Sequence, residues 1–400
     1  MTTERIAVIG AGIIGLAVAR QLGIVNPGSS ITVIDKENTV GAHQTSHNSG
    51  VVHAGVYYAP DTLKAILCRR GSLLLREYCL DRNIAYDECG KLVIAANDSE
   101  VEALNRIQVR AERNQVEGLR RVGHEEIREI EPNAIGVAGL YSPHTAITDY
   151  PAIATAFAQD ILSSGGRLLL GNPVEAITSQ PYGVVVRIVE EESIFDRVVI
   201  CAGLQSDILA RKVGDEPEPA IVPFRGEYYR LIPSKNNLVR GLIYPVPDPN
   251  YPFLGVHFTR RVDGGIDVGP NAVLALAREG YQRGDFAPKE FWETLRWPGF
   301  RRLAKKHWKM GVSEMMGSIS KHQFLDRARV YVPDLQDSDV VRGGSGVRAQ
   351  AVDRDGTLVD DFRIHRLGNV LAVRNAPSPG ATSSMAIAEY ICDELFKSAD

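Results

Sequence analysis

Ile6-Ala7-Val8-Ile9-Gly10-Ala11-Gly12-Ile13-Ile14-Gly15 decides the fold: an apolar strand runs into glycines spaced G-x-G-x-x-G, and an apolar helical pattern follows to about residue 23. Each glycine has its own task. Gly10 permits a tight turn, Gly12 lets backbone amides approach a pyrophosphate, and Gly15 lets the helix lie close against the strand. The amide end of that helix then faces the phosphates, where its dipole favours negative charge. A second apolar run, Ile31-Thr32-Val33-Ile34, ends in Asp35, 20 positions after Gly15, where a carboxylate can accept hydrogen bonds from ribose hydroxyls. Strand, triplet, helix, second strand and acid in this order predict dinucleotide binding.

The 400 residues exceed one ordinary core, so two domains are expected, and a hydrophobic content of 44% is that of a packed chain. A net charge of −4 gives no basic excess to attract nucleic acid, so no nucleic-acid partner is expected. The five cysteines, Cys68, Cys79, Cys89, Cys201 and Cys392, are odd in number and form no CxxC pair, which argues for a reducing compartment and for no metal site. With a strand starting at residue 6 there is no room for a signal peptide, and no apolar run approaches the roughly 20 residues of a membrane span. A cytoplasmic location is expected.

Helical periodicity covers about residues 13–23, 61–83 and 98–118, and a further helix over 151–164 is opened by Asp149-Tyr150-Pro151 and ended at Gly165-Gly166. Apolar runs at 167–171, 183–189 and 194–200 read as a small meander that closes at Ala202-Gly203, whose small residues let backbone pass near a cofactor. From about 217 to 330 the chain is rich in prolines, aromatics and short strand-like runs, such as 226–231 and 253–258, which predicts a separate antiparallel substrate domain. A strand at Val370-Leu371-Ala372-Val373 then leads through 375–382 into a terminal helix. The nucleotide domain is therefore expected to be discontinuous, formed by 1–85, 145–216 and 335–400, with 86–144 and 217–334 forming the substrate domain.

That terminal return bears on the cofactor. A flavin dinucleotide is long, and a loop entering a helix at 377–385 can offer amides to the negative charge of a reduced flavin, a need less pressing for a nicotinamide. An ordinary terminal helix would read the same way. Thr45 to Gly50, with Ser46, Asn48 and Ser49 between, is a run of donors able to surround a pyrophosphate and a flavin edge.

The stretch Gln44-Thr45-Ser46-His47-Asn48-Ser49-Gly50-Val51-Val52-His53-Ala54-Gly55-Val56-Tyr57-Tyr58 resembles the signature of the L-2-hydroxyglutarate oxidase and dehydrogenase family, FAD-dependent members of the wider glycine oxidase and D-amino-acid oxidase-like flavoproteins. The resemblance continues through Cys201-Ala202-Gly203-Leu204, Gly269-Pro270-Asn271-Ala272, Gly346-Val347-Arg348-Ala349-Gln350 and Asn375-Ala376-Pro377-Ser378-Pro379. It departs at Asp35, where the family often has Glu, and at Ala59, where a lysine commonly precedes proline. The resemblance implies an α/β fold: a Rossmann-type FAD-binding domain with a discontinuous second α+β substrate domain built on an antiparallel sheet. With the motif positions it implies a cofactor set of Gly10, Gly12, Ile14, Gly15, Asp35, Lys36, Thr45, Ser46, Asn48, Ser49, Gly50, Val174, Ala202, Gly203, Pro379, Gly380, Ala381 and Thr382.

The chemistry implied is oxidation of a secondary alcohol beside a carboxylate, with hydride passing to flavin N5 while a base takes the hydroxyl proton, and with quinone or oxygen as the final acceptor. A neutral histidine suits the base, and His53 and His257 are equal candidates. A small dicarboxylate substrate also needs cations, for which Arg348 is the first choice and Arg225 the second, while Tyr57, Tyr58 and Tyr244 are expected to line the site. Two rivals remain: an amine or amino-acid oxidase on the same framework, and a nucleotide-binding protein without turnover. A pyridine-nucleotide dehydrogenase would need a second glycine triplet after a strand, and none is present.

All three tryptophans, Trp292, Trp297 and Trp308, fall within 286–310 beside Lys289, Arg296, Arg301, Arg302, Lys305, Lys306 and Lys309. Such a segment suits peripheral contact with the inner face of a membrane, and equally an exposed basic face, with Pro298-Gly299 breaking it into two helices.

Overall fold

In the computed structural model, residues 3–189, 191–248 and 254–397 are described; Phe253, which the strand reading at 253–258 included, lies outside them. The opening strand Arg5–Ile9 lies inside a six-stranded sheet with the order 363–367, 370–375, 197–200, 5–9, 30–34, 167–169. Its pairs are parallel except for Arg363–Leu367, which runs antiparallel on the edge. Strand alternation sorts the core into two layers. Ile6 and Val8 face the helices Ile13–Val25, Tyr150–Ser163 and Ser384–Phe396, meeting Leu16, Phe157 and Ile391. Ala7 and Ile9 face the other way, against Ile177, Val184 and Val186 of a three-stranded antiparallel sheet.

That small sheet corrects one expectation. Its strands are Val174–Gln180, Gly183–Ile188 and Glu191–Phe195, whereas Arg167–Leu169 joins the main sheet beside Ser30–Ile34. The run at 194–200 also splits, because the Asp196 carboxylate turns aside to accept the Arg5 amide at 2.6 Å before Arg197–Ile200 enters the main sheet. The helix expected over 98–118 stops at Arg113, since Gln115 (φ 55°) and Gly118 (φ 65°) take left-handed backbone.

The second large sheet has the order 273–274, 220–231, 266–269, 257–260, 242–245, 91–95, 138–142, 120–123, and Val340–Val352 pairs along Ala220–Leu231. It is antiparallel save for one pair, Leu242–Pro245 beside Lys91–Ala95. One face carries Leu92, Ile94, Ile243, Phe258 and Val268 into a core with Phe324 and Leu325. Alternation therefore turns Lys91, Tyr244 and His257 to the opposite face. Dividing the chain at 85, 144, 216 and 334 remains our proposal, and Val340–Val352 crosses that division by pairing with the larger sheet.

A buried ion pair ties the two parts together. Asp207, fully buried on helix Ser206–Lys212, accepts from Arg278 at 2.6 and 3.0 Å and from the Ile221 amide at 3.2 Å, while Arg278 also donates to the Leu204 carbonyl at 2.6 Å. Asp207→Asn keeps the shape but leaves a buried guanidinium without its counter-charge, and should cost about 3–5 kcal/mol in urea unfolding. A loss under about 1 kcal/mol would mean that the pair is relaxed by water.

Candidate active site

The ends of the strands 5–9 and 30–34 form the cradle expected of the glycine motif. A Cβ on Gly10 (φ 111°) would meet the Cys201 carbonyl oxygen at 2.3 Å, and one on Gly15 would meet the Gly10 oxygen at 1.9 Å, so both must be glycine for the turn and helix to close. A Cβ on Gly12 would meet only the Thr45 hydroxyl, at 3.6 Å, which leaves its amide side open to a ligand. The Ile13 amide donates to that same Thr45 Oγ1 at 3.0 Å, so Thr45 caps a helix whose own N-cap is a glycine. Ile14 follows, half-buried, in the first turn. Asp35 accepts from the Ala11 amide at 2.6 Å and the Glu37 amide at 2.8 Å, which anchors it beside the glycine turn with lone pairs remaining for a ribose.

The neighbouring candidates divide by how their side chains are engaged. Ser46 donates to the Gly41 carbonyl at 2.7 Å, and Asn48 bonds the Thr45 carbonyl at 2.7 Å and the Gly50 amide at 2.8 Å, so these two side chains shape the loop. Lys36 is bonded to Glu37, Glu279 and His43, a cluster whose three ligand-type groups converge around an ammonium already in place. Gly203 lies across from Gln44, whose Oε1 would be 2.9 Å from an added Cβ, and Ala202 precedes it beside the glycine turn. Val174 opens the small sheet two residues after Asn172, whose amide donates to the Asp35 carbonyl at 2.8 Å.

The tail reaches the same region. Thr382 Oγ1 accepts from the His53 amide at 3.1 Å, meets the Tyr150 hydroxyl at 3.0 Å, and lies 3.3 Å from the Val51 carbonyl, to which Tyr150 also donates at 3.0 Å. Cys68 Sγ donates to the His53 carbonyl at 3.3 Å. Gly71 brings its helix against the tail so closely that a Cβ there would be 2.5 Å from the Thr382 carbonyl oxygen. Pro379 and Gly380 are buried, Ala381 is half-buried, and the helix Ser384–Phe396 begins just beyond them. The hydroxyls of Ser383 and Ser384 at its start are buried without a hydrogen-bond partner, polar capacity of the kind a bound flavin uses. The residues present fit a flavin dinucleotide at both ends.

Between this tail and the large sheet lies a group of titratable side chains. His257 Nδ1 lies 2.8 Å from the Gly255 carbonyl, and its ring lies against Tyr244 with centroids 4.0 Å apart and planes tilted by 31°. Donation from Nδ1 leaves Nε2 as an acceptor. Burial, with added repulsion from Arg348 and Lys91, holds this imidazole down to about 3. Burial also carries His53 well below its ordinary value, with Lys91, His257 and Lys64 contributing repulsion. Tyr57 and Tyr58 are raised by burial, yet both keep part of their surface free, as does His53. Arg348 acts on His257, Tyr228 and Tyr244, so the structure brings His53, His257, Arg348, Tyr57, Tyr58 and Tyr244 into one electrostatic neighbourhood.

Arg225 is not among them. Its guanidinium is buried against the Gln282 carbonyl at 2.8 Å and Glu227 at 3.1 Å, in a cluster with Arg283 and Ser318, so it organises a loop. Trp297 likewise departs from the surface array: its Nε1 donates to the Val352 carbonyl at 3.0 Å, whereas Trp292 and Trp308 are exposed. Sequence reasoning missed Lys91, Tyr150 and Tyr228. For Lys91 the signal was there, a lysine two and four positions from Val93 and Ala95 in a strand buried on both faces, but only the fold shows that both faces are covered.

A dinucleotide cradle joined to a buried group of histidines, tyrosines and cations defines a flavin-linked oxidoreductase. The family model described as FAD dependent oxidoreductase matches residues 5–394. The L-2-hydroxyglutarate dehydrogenase of Indibacter alkaliphilus is 42% identical, with 98% of this chain and 99% of that one covered. The mitochondrial L-2-hydroxyglutarate dehydrogenase of Homo sapiens is 44% identical over 98% of this chain and 88% of its own. Among solved structures, L-alpha-glycerophosphate oxidase from Mycoplasma pneumoniae with FAD bound superposes with a TM-score of 0.79 at 20% identity, covering 100% of this chain and 96% of that one. Glycine oxidase from Geobacillus kaustophilus gives 0.74 at 18% identity, over 100% and 96%. The chain belongs to the FAD-dependent oxidoreductase family, among the L-2-hydroxyglutarate dehydrogenases, and FAD is its cofactor.

Lys91 gives the site a testable electrostatic cost. Burial lowers its pKa from 10.5 to about 8, so between those values the unfolded chain binds more protons than the folded one and folding stability from this group rises with pH. Lys91→Met removes the titration. Its stability relative to wild type should therefore fall by about 3 kcal/mol as pH rises through that window. A difference independent of pH, measured by urea unfolding of the apoproteins, would contradict a charged, desolvated Lys91.

Proposed function

We propose that this enzyme oxidises L-2-hydroxyglutarate to 2-oxoglutarate. The observation that carries the reading is the convergence of two neutral imidazoles and two cations, Lys91 and Arg348, beside the tail that bears Thr382. FAD, when bound, supplies the hydride acceptor. The chain's own residues manage the proton and the charges. His53, hung from the tail through its amide, is the base that accepts the substrate hydroxyl proton, and its neutral form is favoured by burial and, to a lesser degree, by the cations around it. A dianionic substrate offsets those cations, which raises the imidazole's basicity at the moment it must take the proton. His257, its tautomer set by Gly255, accepts a hydrogen bond through Nε2 and orients the substrate against Tyr244. Arg348 holds a carboxylate.

Anaerobic addition of L-2-hydroxyglutarate should bleach the flavin absorbance, while glycine, sarcosine and D-amino acids should not; bleaching by an amine alone would overturn the assignment. His53→Gln should keep its flavin and lose about 10²–10⁴ in kcat. Retention of full kcat would remove His53 from proton transfer.

Among the described residues no helix is long and apolar enough to cross a membrane. We further propose that the reduced enzyme passes its electrons to a quinone or to oxygen, working inside the cell with peripheral contact to the inner face of the membrane through 286–310. Phe286, Trp292 and Trp308 are exposed there, and Arg301, Arg302, Lys305 and Lys306 lie on the same pair of helices, Pro288–Arg296 and Pro298–Ile319. Replacing those four cations by Gln should lower flotation with anionic vesicles, at about 1 kcal/mol per charge. Unchanged flotation would end the membrane reading.

A further inference from the structure

Lys91 is a buried cation that acts on both His53 and His257. Its side chain lies on a central strand, 1% exposed, with its ammonium 4.4 Å from the Tyr244 ring centroid and 5.1 Å from that of Tyr57. Among the described residues no carboxylate lies within ion-pair distance of it. Lys64, the other lysine acting on His53, is by contrast paired with Asp360 at 2.8 Å and stands over Tyr58. An ammonium desolvated in this way is strongly disfavoured unless an anion meets it. The two aromatic faces return only part of that cost.

A second group beside it is equally incomplete. The Tyr57 hydroxyl is buried and has no hydrogen-bond partner. A donor of this kind, on a ring whose centroid lies 5.1 Å from an uncompensated ammonium, matches the two oxygens of a carboxylate. The two cations stand on separate strands, Arg348 on Val340–Val352 and Lys91 on the strand paired with that of Tyr244. A hydroxy monocarboxylate has no second anionic end to meet Lys91.

We propose that Lys91, with the Tyr57 hydroxyl, is the subsite for the substrate's distal carboxylate and sets the preference for a dicarboxylate over a 2-hydroxy monocarboxylate. This rests on the hydroxy-diacid oxidation proposed above. The inserted carboxylate completes the charge and hydrogen-bonding capacity of both groups, so a substrate ending in methyl leaves an ammonium and a hydroxyl unpaired, the kind of mismatch that gives strong discrimination.

The test compares L-2-hydroxyglutarate with L-2-hydroxypentanoate, which keeps the reacting end and replaces the distal carboxylate by methyl. In holoenzyme, Lys91→Met should lower the ratio of their kcat/KM values about 100-fold, mainly through KM for the diacid. Glutarate binding, followed by perturbation of the flavin spectrum without turnover, should weaken about 100-fold while pentanoate binding does not. Equal losses for both substrates, or an unchanged ratio, would overturn the assignment. Lys91→Gln, which keeps a neutral donor and most of the volume, repeats the test should the Met variant lose its flavin. If the wild-type enzyme oxidises neither acid, the proposed reaction fails, and the glutarate-against-pentanoate titration of wild type and variant still decides the subsite.

Discussion

The Thr382 hydroxyl is the point on which the site depends. It joins three distant segments, meeting the His53 amide, the Tyr150 hydroxyl and the Val51 carbonyl within 3.0–3.3 Å. Tyr150 begins the helix that packs on the opening helix, and Thr382 precedes the one that packs beside it. The knot is buried, so its hydrogen bonds are exchanged for no water, and an unpaired member would carry a desolvation penalty. A histidine placed on the segment 51–53 is consequently held by the tail as much as by its own neighbours.

From that point the division of labour follows. The main sheet supplies backbone: glycines that cannot carry side chains, amides at a helix start, and an acid whose position is set by the Ala11 and Glu37 amides. The larger sheet supplies side chains, because its alternation turns Lys91, Tyr244 and His257 away from the apolar core built on Leu92, Ile243 and Phe258. A dinucleotide is bound largely through backbone and dipoles, whereas a small acid is selected by charges of defined position. Burial, with repulsion from the surrounding cations added to it, favours the neutral form of both histidines.

Much of this was legible in the sequence, and the reasons differ by residue. Gly10, Gly12, Gly15 and Asp35 announce themselves because local backbone chemistry demands them at fixed spacing. Thr382, His53 and Arg348 were reached through motif resemblance, since nothing local shows that residues more than 300 positions apart will touch. Arg225 read as a second carboxylate ligand because sequence does not reveal that Glu227 and Gln282 already hold it. Trp297 read as part of a surface array because helical spacing does not reveal the Val352 carbonyl waiting beneath it. Lys91 was passed over for the converse reason: a lysine in a strand ordinarily reaches solvent, and only the stacking of Tyr57 and Tyr244 around it shows that this one does not.

The first turn and the tail are proposed to hold one flavin between them, with His53 carried by that joint. The structure of the protein crystallised with FAD and 2-oxoglutarate tests it most directly. Density is expected for the pyrophosphate over Gly12, the flavin ring against 379–382, and the product beside His53. A flavin held at the Gly12 end alone, with its ring away from 379–382 and Thr382 unconnected to His53, would contradict it.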